Sequence, residues 1–425
     1  MLDGFLLVVF SIFVFATFNS IRKKSLLFAG LYIFIFIYSI FAQIGYCYYP
    51  ELSELIKAYF GKYYFYKFYF FNFLSFIFFY IFFIFSFPYL SRIKKYEIVK
   101  DKATILPLLF CTYILFVWGY LISYLILNYQ SISYDNAYSE EYLAGQGLPF
   151  RIFIALFKLL VPLILIFYCQ VRIKNRFTDI SFFKKNLVNL MFTISILLFL
   201  FIANKLGSRT DIVAITLGIV IFEYCLGFNY KKVLSFVIAG GVIVGFLLYL
   251  EQTRTVASSQ FEDLLIGQKI LMKDYFAPAH ILYAAMGLNY INPLEVLYSN
   301  LSNSLILLNY PYLQAPVTEL INPGVATRSA GYAFYIFSEG FIFMGFFGFL
   351  YNGFMLMTGA TIWHLFKNAK NKYYSFLILA IMSTQFANIA RSQSSYFFKD
   401  LYIIFLPVLI IFYLSSGLRP KFFHS

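Results

Sequence analysis

The chain has 425 residues, 61% of them hydrophobic and only 12% charged, with a mean hydropathy of +0.77 and a formal net charge of +14. A soluble domain carries roughly twice that share of charge, and no water-soluble fold hides so much apolar surface, so a soluble globular protein is excluded. The apolar runs are continuous and do not alternate as in an outer-membrane barrel, which leaves an all-α polytopic membrane protein.

A crossing helix needs about 20 apolar residues. Such runs predict about eleven transmembrane helices, near 4–19, 26–48, 67–90, 103–128, 150–169, 187–204, 211–228, 233–250, 341–364, 373–390 and 400–416. Around the first run, Asp3 precedes and Arg22, Lys23 and Lys24 follow. That is the reverse of a cleavable signal peptide and predicts the N-terminus outside.

Alternation then places six segments, and the C-terminus, inside. They carry Arg22 to Lys24; Arg92, Lys94, Lys95, Lys100 and Lys102; Arg172, Lys174, Arg176, Lys184 and Lys185; Lys231 and Lys232; Lys367, Lys370 and Lys372; and Arg419 and Lys421. These are 20 of the 33 basic residues, against only Glu97, Asp101 and Asp179 as acids, as the positive-inside rule requires. The same rule accounts for the surplus charge. No basic patch is interleaved with a nucleic-acid motif, so the expected partner is the lipid bilayer and no nucleic acid. Cys47, Cys111, Cys169 and Cys225 lie in or beside apolar runs, at no metal-ligand spacing, and read as small hydrophobes. No linker divides the chain, which reads as a single integral membrane domain.

On the outer face, residues 251–331 form one large loop of about 80 residues. Pro278, Pro293, Pro311, Pro316 and Pro323 prevent it from being one helix. Its mixed stretches Leu264–Ile270 and Leu301–Leu308 read as short amphipathic helices at the membrane surface.

Charges near the apolar runs are the candidates for chemistry, because an ionised group at mid-bilayer costs roughly 2.5–3.5 kcal/mol. Arg209, in Gly207-Ser208-Arg209-Thr210-Asp211, stands where the seventh helix begins. Free N–H groups, a cap from Ser208 or Thr210 and a guanidinium fork suit a phosphate there; pairing of Arg209 with Asp211 is the structural alternative. Arg254, Arg328 and Arg391 stand at the same membrane level, on helix ends bordering the large loop. If these arginines converge, they make an external pocket for a pyrophosphate. Lys158, near the middle of the fifth run, either supplies a cavity charge, pairs with a carboxylate or snorkels; Glu223, nearer the inner end of its run, is expected to snorkel. For proton transfer outside, the candidates are His280 and, among several acids, Glu339, which follows Arg328 inside an apolar stretch. His364 and His424 fall on the cytoplasmic side. No nucleotide-binding Gly-rich loop, metal-ligand cluster, nucleophile elbow or Asp-x-Asp pair in the large loop is present, so no cofactor and no metal is expected.

Asn204-Lys205-Leu206-Gly207-Ser208-Arg209-Thr210-Asp211 leads into a helix, and a large external loop follows the next one. That loop closes in Arg328-Ser329-Ala330-Gly331-Tyr332-Ala333-Phe334, then Ser338-Glu339-Gly340-Phe341, then Gly345 and Gly348. In this pattern the chain resembles the O-antigen polymerases (Wzy-type oligosaccharide repeat-unit polymerases). The likeness covers the whole chain in topology and about 40 residues in motifs. It implies a metal-independent glycosyltransferase in the bacterial inner membrane. The substrate would be a polyprenyl-pyrophosphate-linked oligosaccharide, assembled into O-antigen or capsule, with a chain-length regulator protein as a further partner. It implies pyrophosphate-binding roles for Arg209, Arg254, Arg328 and Arg391, with Ser208 and Lys158 beside them, and a proton-accepting role for Glu339 or His280. An O-antigen ligase, with the same donor, and a flippase or other transporter of the lipid-linked unit remain as alternatives. Residues 332–366 as one helix would reach roughly 50 Å, more than the hydrocarbon thickness, so a break near Gly340 is expected, with Glu339 on a short surface helix.

Overall fold

The computed structural model describes residues 2–25, 28–36, 39, 62–92, 98–99, 108–132, 140–174, 182–206, 208–226, 293–304, 335–366, 394–400 and 419–420, with the single positions 282, 286, 377, 380, 381, 407 and 410. Six stretches are long and apolar enough to cross a bilayer: Phe5–Lys24, Phe70–Leu90, Phe110–Leu127, Ile152–Arg172, Asn186–Leu206 and Ile336–Thr358. They coincide with six of the expected runs, and the chain is a helical, multi-pass membrane protein. The expected crossings at 233–250, 373–390 and 400–416 lie largely or wholly outside the described residues.

The helices are α1 (Leu2–Lys24), α2 (Lys62–Arg92), α3 (Leu108–Leu127), α4 (Glu140–Lys174), α5 (Phe182–Leu206), α6 (Arg209–Leu226), α7 (Pro293–Ser304), α8 (Ile336–Met344), α9 (Gly348–Phe366) and α10 (Ser394–Asp400). Residues 28–36 are also helical. A two-residue antiparallel pairing joins Ile98–Val99 to Arg419–Pro420. Leu127, Phe85 and Phe116 stand largely exposed, as lipid-facing side chains do.

The chain divides into two compact units, one of residues 1–93, 257–365 and 385–399, the other of 94–256, 366–384 and 400–425. In the second unit α4 is the central helix. Every residue from Leu159 to Phe167 is buried, the mark of a helix enclosed on all sides. α3, α5 and α6 pack around it, with Phe157 stacked on Phe199 and Tyr124 on Phe153. Pro149 and Pro162 lie within α4, as prolines in membrane helices often do.

The first unit has an aromatic core. Phe10, Phe28, Tyr32, Phe36, Phe76, Phe79 and Phe83 interlock edge-on, tilted or stacked between α1, the 28–36 helix and α2. Against α2 lie α8 and α9, joined by a 3-10 turn at Gly345–Phe347.

Here the structure differs from the sequence expectation. The helix breaks at Gly345, not near Gly340, and the chain reverses there. Eight helical residues would separate Gly340 from Gly348 by roughly 12 Å in a straight helix. Instead, a Cβ placed on Gly348 would stand 2.0 Å from the Gly340 carbonyl oxygen. The pairing along α2 gives the directions. Phe346 meets Phe70 and Phe349 meets Phe78, so α9 runs with α2; Phe341 meets Phe71 and Phe337 meets Phe76, so α8 runs against it. Gly345 makes the reversal possible with φ +58 and ψ −134, a backbone conformation essentially confined to glycine. Apolar composition carries through Ile336–Thr358, but α9 alone has the length of a crossing. α8, with nine residues and a length of about 13 Å, folds back along α9 within the unit.

The close approach predicts a sharp test. Gly340→Ala and Gly348→Ala each place a methyl group into occupied space (2.1 Å from Asn352 Oδ1 and 2.0 Å from a backbone oxygen). Each is expected to destabilise the protein by about 1–3 kcal/mol. The fall should appear as a lower thermal midpoint in detergent. Gly119→Ala, where nothing stands within 4 Å, should leave that midpoint in place.

Candidate functional site

The reversal brings an ionisable side chain into the first unit. Glu339, on α8, has no exposed surface at all. It therefore does not sit on a surface helix, as the sequence suggested; folding α8 back along α9 buries it. Three donors converge on its carboxylate. The Tyr351 hydroxyl, on α9, donates to Oε1 at 2.8 Å. The Ser394 hydroxyl donates to the same oxygen at 2.6 Å, and the Ser394 backbone N–H donates to Oε2 at 2.7 Å. Ser394 opens α10, so Glu339 ties three helices together. All three bonds are donated to the carboxylate, and bonds donated to a carboxylate are the strong, charge-assisted kind.

Neighbouring positions extend the polar character along the α8–α9 hairpin. Tyr335, buried just before α8, donates to Asn72 Oδ1 on α2 at 2.7 Å and lies in hydrogen-bond contact with the Ser39 hydroxyl. Asn352 donates from Nδ2 to the Ser75 hydroxyl at 3.0 Å, and Ser75 donates to the Phe71 carbonyl. Asn352 Oδ1 lies against Gly340, close enough that only a glycine fits beneath it. The buried Ser338 hydroxyl has no hydrogen-bond partner among the described residues. Ser39, Asn72, Ser75, Tyr335, Ser338, Glu339, Asn352 and Ser394 are all buried and form a polar seam through an otherwise aromatic unit. In a membrane helix such groups are satisfied by their own helix's carbonyls or by neighbouring helices.

Of the residues singled out by sequence, Glu339 is thus placed in full. Arg209 opens α6, as expected from the sequence; its side chain lies outside the described residues. Ser208 precedes it, with its N–H bonded to the Ala203 carbonyl at the end of α5 and its hydroxyl donating to Asp211. Lys158 is half-buried on α4. Arg254, His280, Arg328 and Arg391 lie outside the described residues. Among the described residues no group of three His, Cys, Asp or Glu stands together as a metal site would require. Tyr351, Ser394, Tyr335 and Asn352 were not singled out from the sequence. Their signal was faint: neutral polar side chains recurring within apolar runs.

The second unit holds another buried carboxylate. Glu223, on α6, does not snorkel; it is 2% exposed. Arg172, at the end of α4, pairs with it, Nη2 donating to Oε2 at 2.9 Å and Nε standing 2.6 Å from Oε1. The Tyr168 hydroxyl, one turn earlier on α4, donates to Oε1 at 2.9 Å. Partners one turn apart on a central helix outcompete the aqueous boundary that would otherwise draw the carboxylate out. The cluster locks α6 onto α4.

That lock predicts asymmetric mutational effects. Arg172→Ala strands a buried carboxylate and should destabilise by roughly 3 kcal/mol, the low end for a broken buried pair because part of Arg172 reaches solvent or headgroups. Adding Glu223→Gln should recover part of the loss, measured by thermal unfolding of both variants in detergent. Comparison with known proteins adds no relative: no family model, no curated protein and no solved structure matches this chain.

Proposed function

We propose that this protein polymerises polyprenyl-pyrophosphate-linked oligosaccharide repeat units into a surface polysaccharide at the outer face of a bacterial inner membrane. The observation that carries the reading is Glu339. It is a fully buried carboxylate on a helix that folds back along α9, held by three donors inside a membrane-embedded unit. Charged groups at membrane depth are expensive and mark functional sites by default. In the proposed topology of about eleven crossings with the N-terminus outside, α2 enters from the outer face. The hairpin tip and Glu339 then lie toward that face, at the close of the large loop.

The chemistry follows from the groups available. The acceptor sugar hydroxyl attacks the anomeric carbon of the growing chain. The bond to the lipid pyrophosphate breaks, and the leaving group takes up the electron pair. Arg209, Arg254, Arg328 and Arg391 stabilise that developing charge, with Ser208 and Lys158 contributing to the phosphate site. The hydroxyl proton passes to the site centred on Glu339, with His280 as the other candidate acceptor. The donor is already activated, so the reaction needs no nucleotide and no metal.

The test is extension of a synthetic polyprenyl-pyrophosphate oligosaccharide by purified protein in vesicles. A ladder of products is expected from the wild type. Arg209→Ala and Arg328→Ala should each slow extension by roughly 100-fold or more, as loss of one transition-state donor does. Full activity in both variants would remove the arginine mechanism. Transfer of one unit to a lipid A-core acceptor without a ladder would indicate a ligase, and movement of the unit across the bilayer without bond formation a transporter.

A further inference from the structure

α7 lies within the large loop and packs against α8. It is docked and not dangling, since Ser302 near its end is buried. Leu294, Leu297, Tyr298 and Leu301 recur at helical spacing and so share one face. All four are exposed, at 70%, 43%, 54% and 56%. Glu295, Ser299, Asn300 and Asn303 lie round the rest of the helix. A helix docked on a water-soluble core covers its apolar face. In α7 that face is the open one.

Two constraints fix what covers it. Twelve residues make about 18 Å of helix, short of the hydrocarbon thickness, and the polar residues make deep immersion costly. A stripe of large apolar side chains is equally out of place in water. The membrane–water boundary meets both conditions, and Tyr298 adds a ring of the kind favoured there. The neighbour of α7 agrees. α8 belongs to the membrane-embedded first unit, and its end and the turn after it expose Met344, Phe346 and Phe347, as lipid-facing side chains do.

We infer that α7 is an interfacial helix, its Leu294–Leu301 face buried at the acyl–headgroup boundary of the bilayer, where it pins the large loop to the membrane beside α8. This role stands apart from the polymerase reading and does not depend on it. α7 carries no Lys or Arg, so the hold comes from apolar burial and not from attraction to anionic headgroups. The helix also lies ahead of Leu301–Leu308, the stretch that the sequence marked as amphipathic, and shares only residues 301–304 with it.

Tryptophan placed on α7 reports the surroundings of each face. Full-length Leu297→Trp and Leu301→Trp are reconstituted into phosphatidylcholine vesicles, with and without bromine on the acyl carbons nearest the headgroup. Glu295→Trp, on the other side of the helix from Leu297, is the control. The wild-type emission of Trp118 and Trp363 is subtracted. Brominated lipid is expected to remove most of the emission added by Leu297→Trp and Leu301→Trp, and aqueous iodide little of it; for Glu295→Trp iodide should be the stronger quencher. Quenching of the leucine variants by iodide and not by lipid would place the face in water and overturn the inference. Quenching by neither would mean that protein covers the face, and equal lipid quenching of all three variants would mean a helix sunk in hydrocarbon; both also overturn it. The substituted side chains are exposed, so the thermal midpoint should hold, and if one leucine variant fails to assemble the other decides.

Discussion

The backbone contact between Gly340 and Gly348 determines what the rest of the first unit can be. Two helices approach this closely only where neither carries a side chain, and the carbonyl of one then lies against the Cα of the other. That approach folds α8 back along α9. It turns what composition presents as one long apolar stretch into a short inner helix and a full crossing. Glu339 then faces Tyr351, twelve residues on, and both meet the start of α10. With a larger side chain at either glycine the seam would lose its geometry before it lost its chemistry.

The two buried acids are satisfied by different means. Glu223 is held by a guanidinium and a phenol on one helix, an ion pair at the end of α4. Glu339 accepts from the hydroxyls of Tyr351 and Ser394 and from the Ser394 backbone N–H, on two other helices. An ion pair of the first kind suits a lock. A carboxylate bonded by hydroxyls keeps access to protons, because each bond is also a path along which one can move.

Much of this architecture could be read in advance. Six crossings were legible because long unbroken apolar runs leave a helix no alternative in lipid. Glu339 stood out because an acid in such a run must have a purpose, and Arg209 because it follows Gly207-Ser208 at the head of a run. The position of the reversal was not legible. Gly340 and Gly345 are both glycines in an apolar setting, and only the packing assigns close approach to one and the unusual φ to the other. The partners of the acids were hidden for a related reason. Ser394 lies 55 residues from Glu339, and Arg172 lies 51 from Glu223, so no local pattern links them. Snorkelling was the natural expectation for Glu223 because one sequence cannot reveal that α4 carries both Tyr168 and Arg172 on the face that α6 meets.

The brevity of α8 bears on how the protein is made. Nine residues with an acid among them cannot be held in a bilayer as an independent segment. As the ribosome delivers the chain, α8 must wait at the aqueous boundary until α9 has threaded across and offers it a surface. The Ser394 clamp on Glu339 closes later still, once Ser394, 55 residues beyond Glu339, has emerged. The carboxylate thus enters the hydrocarbon only in company, and the polar seam is among the last parts of the first unit to be completed during synthesis.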